Sequence, residues 1–150
     1  MTNRNYLVVG IDDNPGDTVL IKKAISLSSL KIEFKSFADG REFLTYIFSE
    51  GVSPSLLLLD INIPIINGFD LLNIINKDPM MNDIPKIILS SSGNLNDIYR
   101  SYEKGANCYL IKPIDFLGLK FIINRTLNFC LQPRIPSQNY IKHANINLPY

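Results

Sequence analysis

The chain has 150 residues, of which 46% are hydrophobic and 19% charged. That composition suits one globular domain with a real core and excludes a disordered polypeptide. A formal net charge of +1 offers no basic surface for nucleic acid or an anionic membrane, so neither is expected as a partner. The apolar run near the N-terminus is too short for a signal peptide, and acids follow it at once. No stretch approaches the roughly 20 apolar residues that a membrane helix needs. Cys108 and Cys130 lack C-x-x-C spacing and read as reduced core residues of a cytoplasmic protein.

Along the chain, Tyr6 to Ile11 (YLVVGI) reads as a buried strand ended by Asp12. The following NPGD opens a helix: Asn14 can cap it, Pro15 suits its first position, and Asp17 sits near its positive end. Leu20, Ile21, Ala24 and Ile25 give that helix one apolar stripe. Lys31 to Phe37 alternates polar and apolar residues, as a half-exposed or edge strand does. Asp39 to Glu42 (DGRE) resembles a capping box, with Phe43, Leu44, Ile47 and Phe48 behind it. Leu56 to Leu59 is an unbroken apolar run, the mark of a strand buried on both faces. Asn67 and Asp70 flank the start of a third helix with Leu71, Leu72 and Ile75 as its apolar members. Pro85 to Ser90 is a fourth strand. Asn94 and Asp97 frame a fourth helix, with Leu95, Ile98, Tyr99 and Tyr102 expected inward and Gly105 as its stop. Cys108 to Ile111 is a fifth strand. Phe116, Leu119, Ile123, Leu127 and Cys130 recur every three or four residues along a last helix. Five strand–helix units in strict alternation imply an α/β fold with a parallel sheet covered on both faces.

In such sheets ligands bind outside the carboxyl ends of the strands. Asp12 and Asp13 stand at the first of these ends, Asp60 at the third, Ser90 at the fourth and Lys112, before Pro113, at the fifth. Alone, each has a plainer use: strand-end aspartates cap helices, Ser90 makes a turn, Lys112 is solvated and Tyr109 packs. Together they suit one task. Three carboxylates repel one another unless a hard divalent cation joins them, and oxygen ligands favour Mg2+. A lysine at the same rim suits phosphate oxygens, and a serine hydroxyl can donate to one more. The group fits transfer of a phosphoryl group onto an aspartate.

These motifs, GIDDNPGD, LLLLDINIPIINGFDLL, IPKIILSSSG and GANCYLIKP, resemble the receiver domain of two-component response regulators. The resemblance spans residues 5–131. The finer pattern, DDNPGD with GANCYLIKP, is similar to the stand-alone regulators that partner bacterial phytochromes and related histidine kinases. It implies a flavodoxin-like doubly wound sheet of five strands in the order 2-1-3-4-5, with five helices. It further implies Asp60 as phosphoacceptor and Asp12, Asp13, Asp60 and the backbone carbonyl of Asn62 as Mg2+ ligands. Ser90 would be the switch hydroxyl, Tyr109 the switch aromatic and Lys112 the phosphoryl-binding lysine. The Lys112–Pro113 bond is expected to be cis, aiming the lysine inward. Pro64 and Gly68 match the loop after the acceptor, whereas Ile66 and Asn67 replace the commoner methionine and aspartate. Asn62 and Ser92 fall where relatives vary and affect how long the phosphate lasts.

The partners so implied are a sensor histidine kinase and a downstream protein or phosphotransfer protein, with a second copy of the chain as a further candidate. The protein is then a phosphoacceptor and not an enzyme, beyond its own phosphorylation and slow dephosphorylation. Residues 1–131 form the expected domain. Residues 132–150, with three prolines, read as a disordered end or as an arm docking through Ile135, Tyr140, Ile141 or Tyr150. They are too few for a helix-turn-helix output module. His143 lies there as a solvated residue. Two rival classes stay open: a Mg2+-dependent phosphatase, which would want a D-x-D motif after the first strand, and a docking module in which phosphorylation is idle.

Overall fold

The computed structural model describes residues 4–132. Five strands alternate with five helices: β1 (Tyr6–Ile11), α1 (Pro15–Ser26), β2 (Ile32–Phe37), α2 (Gly40–Glu50), β3 (Leu56–Leu59), α3 (Gly68–Lys77), β4 (Lys86–Ser90), α4 (Leu95–Glu103), β5 (Cys108–Ile111) and α5 (Phe116–Leu131). All strand pairs are parallel, and the sheet order is β2-β1-β3-β4-β5. This is the flavodoxin-like doubly wound arrangement implied by the motifs. Residues 133–150, and with them the expectations for the tail and for His143, lie outside the described residues.

The leucine run of β3 serves two cores at once, because successive side chains leave a strand on opposite faces. Leu57 and Leu59 join Val9, Ile11 and Ile88 beneath α2 and α3, where Phe43, Leu71, Leu72 and Ile75 are fully buried. Leu56 and Leu58 join Val8, Ile87 and Leu89 beneath α1 and α5, which supply Ile21, Ala24, Ile25, Leu119, Ile123 and Leu127. Each such side chain removed from water stabilises the fold by about 1.5–3 kcal/mol before chain entropy is counted. The edge strand β2 keeps its half-exposed pattern.

The helix starts follow from their caps. Asn14 accepts from the Asp17 N–H, Asp39 from the Glu42 N–H, Asn67 from the Asp70 N–H and Asp115 from the Gly118 N–H. Each satisfies a backbone donor that the first helical turn leaves without a partner.

Helix α4 departs from expectation. Leu95 and Tyr99 are 69% and 70% exposed, and Tyr102 also faces solvent. Only Ile98, half-buried, and the fully buried Ser101 face the sheet. Burial goes to the side that can approach the sheet closely: Ser101 is small and its hydroxyl donates back to the Asp97 carbonyl. Leu20 and Phe48 likewise lie on exposed edges of their helices rather than in the core.

One backbone position is strained. Ile65, in the loop after β3, has φ of 68°, a conformation that suits glycine or asparagine and crowds a β-branched residue. Its side chain is 62% exposed, so packing does not compensate. Replacing it with a residue that tolerates this conformation, Ile65→Asn, is expected to raise stability by about 1 kcal/mol, read from the midpoint of urea unfolding.

Candidate functional site

The backbone ladder runs past the strand ends and fixes the site residues at the rim. The Asp12 N–H donates to the Phe37 carbonyl of β2, the Asp60 N–H to Ile11 of β1, and the Lys112 N–H to Ser90 of β4. Each of the three residues is thus held through its main chain by a neighbouring strand. Their side chains then meet from three elements that are far apart in sequence.

At the centre is the Lys112 ammonium. It donates to Asp12 Oδ2 at 2.7 Å, to Asp60 Oδ2 at 2.8 Å and to Asp17 Oδ2 at 2.8 Å. Asp12 and Asp60 are buried. Their outer oxygens accept main-chain N–H groups two residues on: Asn14 to Asp12 Oδ1 at 2.9 Å and Asn62 to Asp60 Oδ1 at 3.1 Å. Three carboxylates around one ammonium leave two negative charges in a place largely removed from water. Burial accordingly holds the Asp12 carboxyl above its ordinary 3.8, outweighing the hydrogen bonds from Lys112 and Asn14 that favour the ionised form. Burial works against the charge of Lys112 too, but its bonds to Asp12, Asp17 and Asp60 outweigh it and raise the ammonium above its ordinary 10.5.

The Lys112–Pro113 peptide is trans, as are all described peptide bonds, so the expected cis bond is corrected. The lysine needs no cis bond to turn inward: three carboxylates hold it, and trans is the lower-energy state of an X–Pro bond by about 0.5–1 kcal/mol.

The other expected residues are placed as follows. Asp13 is exposed, and its side chain has no hydrogen-bond or ion-pair partner among the described residues. Asn62 is exposed beside Asp60. Ser90 is fully buried at the end of β4, its Oγ accepting from the Ser92 N–H at 3.2 Å. Tyr109 is buried, and its hydroxyl donates to the Ser92 carbonyl at 2.7 Å. The Ser92 hydroxyl in turn donates to Asp97 at 2.6 Å, tying the β4–α4 loop to the first turn of α4. Asp17 was expected only as a helix-start acid. The signal for more was present, since α1 begins two residues after the acids of β1, which sets its first turn at the rim.

The oxygen-only donors and the two uncompensated charges suit a hard divalent cation. Among the described residues, however, no three carboxylate, imidazole or thiol groups are already arranged around a common point to hold a metal ion. With this lysine position, two of the expected carboxylates point at the ammonium. The loop after Asp60 is held at close quarters by Gly68, whose N–H donates to the Ile61 carbonyl at 3.0 Å. A Cβ there would stand 2.8 Å from the Asp60 carbonyl oxygen and would collide with Ile61 Cα.

A family model described as "Response regulator receiver domain" matches residues 8–124. The curated protein Response regulator Rcp1 of Synechocystis sp. is 27% identical over 136 residues, spanning 87% of this chain and 92% of its own length. The crystal structure of the phosphorylated cyanobacterial phytochrome response regulator RcpA superposes with a TM-score of 0.82 at 31% identity, covering 89% of this chain and 100% of that one. The Mn(2+)-bound form of Rcp1 superposes with a TM-score of 0.78 at 25% identity, covering 88% of this chain and 99% of that one. Among the described residues no helix is long and apolar enough to cross a membrane.

Two outcomes test this geometry. Gly68→Ala should cost about 1–3 kcal/mol in chemical unfolding, because these collisions are with backbone rather than with a flexible side chain. Asp12→Asn should raise the melting temperature at neutral pH in the presence of a chelator. A carboxyl whose folded pKa is raised binds its proton more tightly in the folded state, so it lowers stability as pH rises beyond 3.8. The gain from the substitution should therefore shrink toward pH 3, where scanning calorimetry would find Asp12 protonated folded and unfolded alike.

Proposed function

Because this chain belongs to the response regulator receiver family of two-component signalling, we propose that it accepts a phosphoryl group on Asp60 from a sensor histidine kinase and signals by a change of surface. The observation that carries this is the Lys112 ammonium 2.8 Å from Asp60 Oδ2 at the rim where β1, β3 and β5 end. Asp12, Asp13, Asp60 and the Asn62 carbonyl would hold Mg2+, which when bound supplies charge neutralisation for the transferring group.

The chain's own residues account for the rest. A carboxylate oxygen of Asp60 attacks phosphorus in line as the bond to the kinase histidine breaks. The Lys112 ammonium, already beside that carboxylate, moves onto a phosphoryl oxygen. Ser90 turns its hydroxyl to another and gives up its bond from the Ser92 N–H. Tyr109 releases the Ser92 carbonyl and turns into the space that Ser90 vacates, which loosens the β4–α4 loop from β5. The exposed side of α4, with Leu95 and Tyr99, and the adjoining surface of β5 and α5 then change their affinity for a downstream protein or phosphotransfer partner, or for a second copy of the chain. A bias of about 1–3 kcal/mol would alter that affinity roughly five- to a hundredfold.

The similarity to RcpA, a cyanobacterial phytochrome response regulator, supports a kinase of that kind. Turnover on separate phosphate esters forms no part of this function.

Incubation with Mg2+ and a small acyl phosphate should add one phosphoryl group per chain, seen by intact mass or on a phosphate-retarding gel. Asp60→Asn should take up none. Folded, Mg2+-treated protein that stays unmodified would count against phosphorylation and for a docking module.

A further inference from the structure

The Lys112 ammonium has three hydrogens, and all three are spent on carboxylates. The three are unequal. The side chains of Asp12 and Asp60 are 7% and 10% exposed, whereas that of Asp17 is 33% exposed and comes from the helix, not the sheet. Its backbone is held in place by the cap, since the Asp17 N–H donates to Asn14 Oδ1 at 3.1 Å. On this side Asp17 and Lys112 line a crevice of about 70 Å³ together with Leu20 and Ile114, which leaves the amine room to move.

We propose that Asp17 is a positioning residue that holds the Lys112 ammonium on the α1 side of the site and keeps it there when Asp12 and Asp60 turn to a divalent cation. The inference rests on the proposed function in one respect, that those two carboxylates take up such a cation.

The physical reason is competition. An ammonium and a divalent cation repel, and both would draw on the carboxylates of Asp12 and Asp60. If those were the lysine's only partners, cation entry would strip the ammonium of every hydrogen bond while leaving it barely hydrated, at 10% exposure. A buried charge without a partner is costly. With Asp17 present, the ammonium keeps one charge-assisted bond and stays within reach of the acceptor. Asp17 thereby lowers the cost of cation binding without contacting the cation. A plain surface acid at a helix start would help cation binding only through its general field, and would do so whether or not a lysine is present.

That difference sets the experiment: a double-mutant cycle on Mg2+ affinity, measured by titration calorimetry on the unphosphorylated full chain at neutral pH. Asp17→Asn should weaken Mg2+ binding about three- to tenfold in the unaltered background. In a Lys112→Met background the same substitution should change affinity by less than about twofold, since no ammonium then needs parking. Asp17→Ser, measured alongside, guards against a folding defect peculiar to the asparagine, and circular dichroism confirms that each protein is folded. Equal weakening in both backgrounds would overturn the role in favour of a general field effect. So would unchanged affinity of Asp17→Asn in the unaltered background. If the unaltered chain binds no Mg2+, the cation itself is overturned and this role with it, which is distinguishable from normal binding that ignores Asp17.

Discussion

One ammonium serves three carboxylates, and the rim at the strand ends is arranged around that shortage of positive charge. Lys112 reaches Asp12, Asp17 and Asp60 at 2.7–2.8 Å, yet two negative charges stay uncompensated in a partly dry site. Left to itself such a group would protonate or open. It persists because the sheet beneath it is rigid and because the strand ladder continues through Asp12, Asp60 and Lys112 themselves. The raised carboxyl of Asp12 records the unrelieved part of the cost. A site poised in this way favours a further cation and a lysine free to change partners.

The rigidity has an identifiable source. Four consecutive leucines in β3 fill two cores, so the strand cannot shift by one residue without exchanging its whole set of neighbours. Asp60 inherits that register. Gly68 then brings the start of α3 against the backbone of Asp60 and Ile61, where no side chain fits. Between these two constraints the loop bends sharply enough to hold Ile65 in the left-handed region. Rigid support on one side of Asp60 and a strained turn on the other confine it to one geometry.

The opposite property belongs to the β4–α4 region. Tyr109 is joined to Ser92, Ser92 to Asp97, and the Tyr109 N–H to the Tyr102 hydroxyl, so a short chain of hydrogen bonds links β5 to α4. Helix α4 buries little against the sheet and turns Leu95 and Tyr99 to solvent. An element held by a few polar links and little apolar burial is one that a small free energy can reposition. The molecule therefore places its stiff part under the proposed acceptor and its soft part beneath the surface proposed for output.

Most of the fold was legible from pattern alone. Alternation in β2, the unbroken run in β3 and the caps at Asn14, Asp39, Asn67 and Asn94 are local properties, and local propensity and tertiary structure agree there. The outward face of α4 was not legible, because an apolar stripe says that a helix is amphipathic but not which side can approach the sheet. The convergence of Asp12, Asp60 and Lys112 could be inferred because a parallel sheet puts all its carboxyl ends on one rim. What only the tertiary structure decided was where the lysine spends its hydrogen bonds: on Asp17 as well, through a trans Lys112–Pro113 bond, with Asp13 left in solvent. Side-chain partners at a shared rim depend on distances of a few ångströms between segments about a hundred residues apart in the chain, and no periodicity in the sequence encodes them.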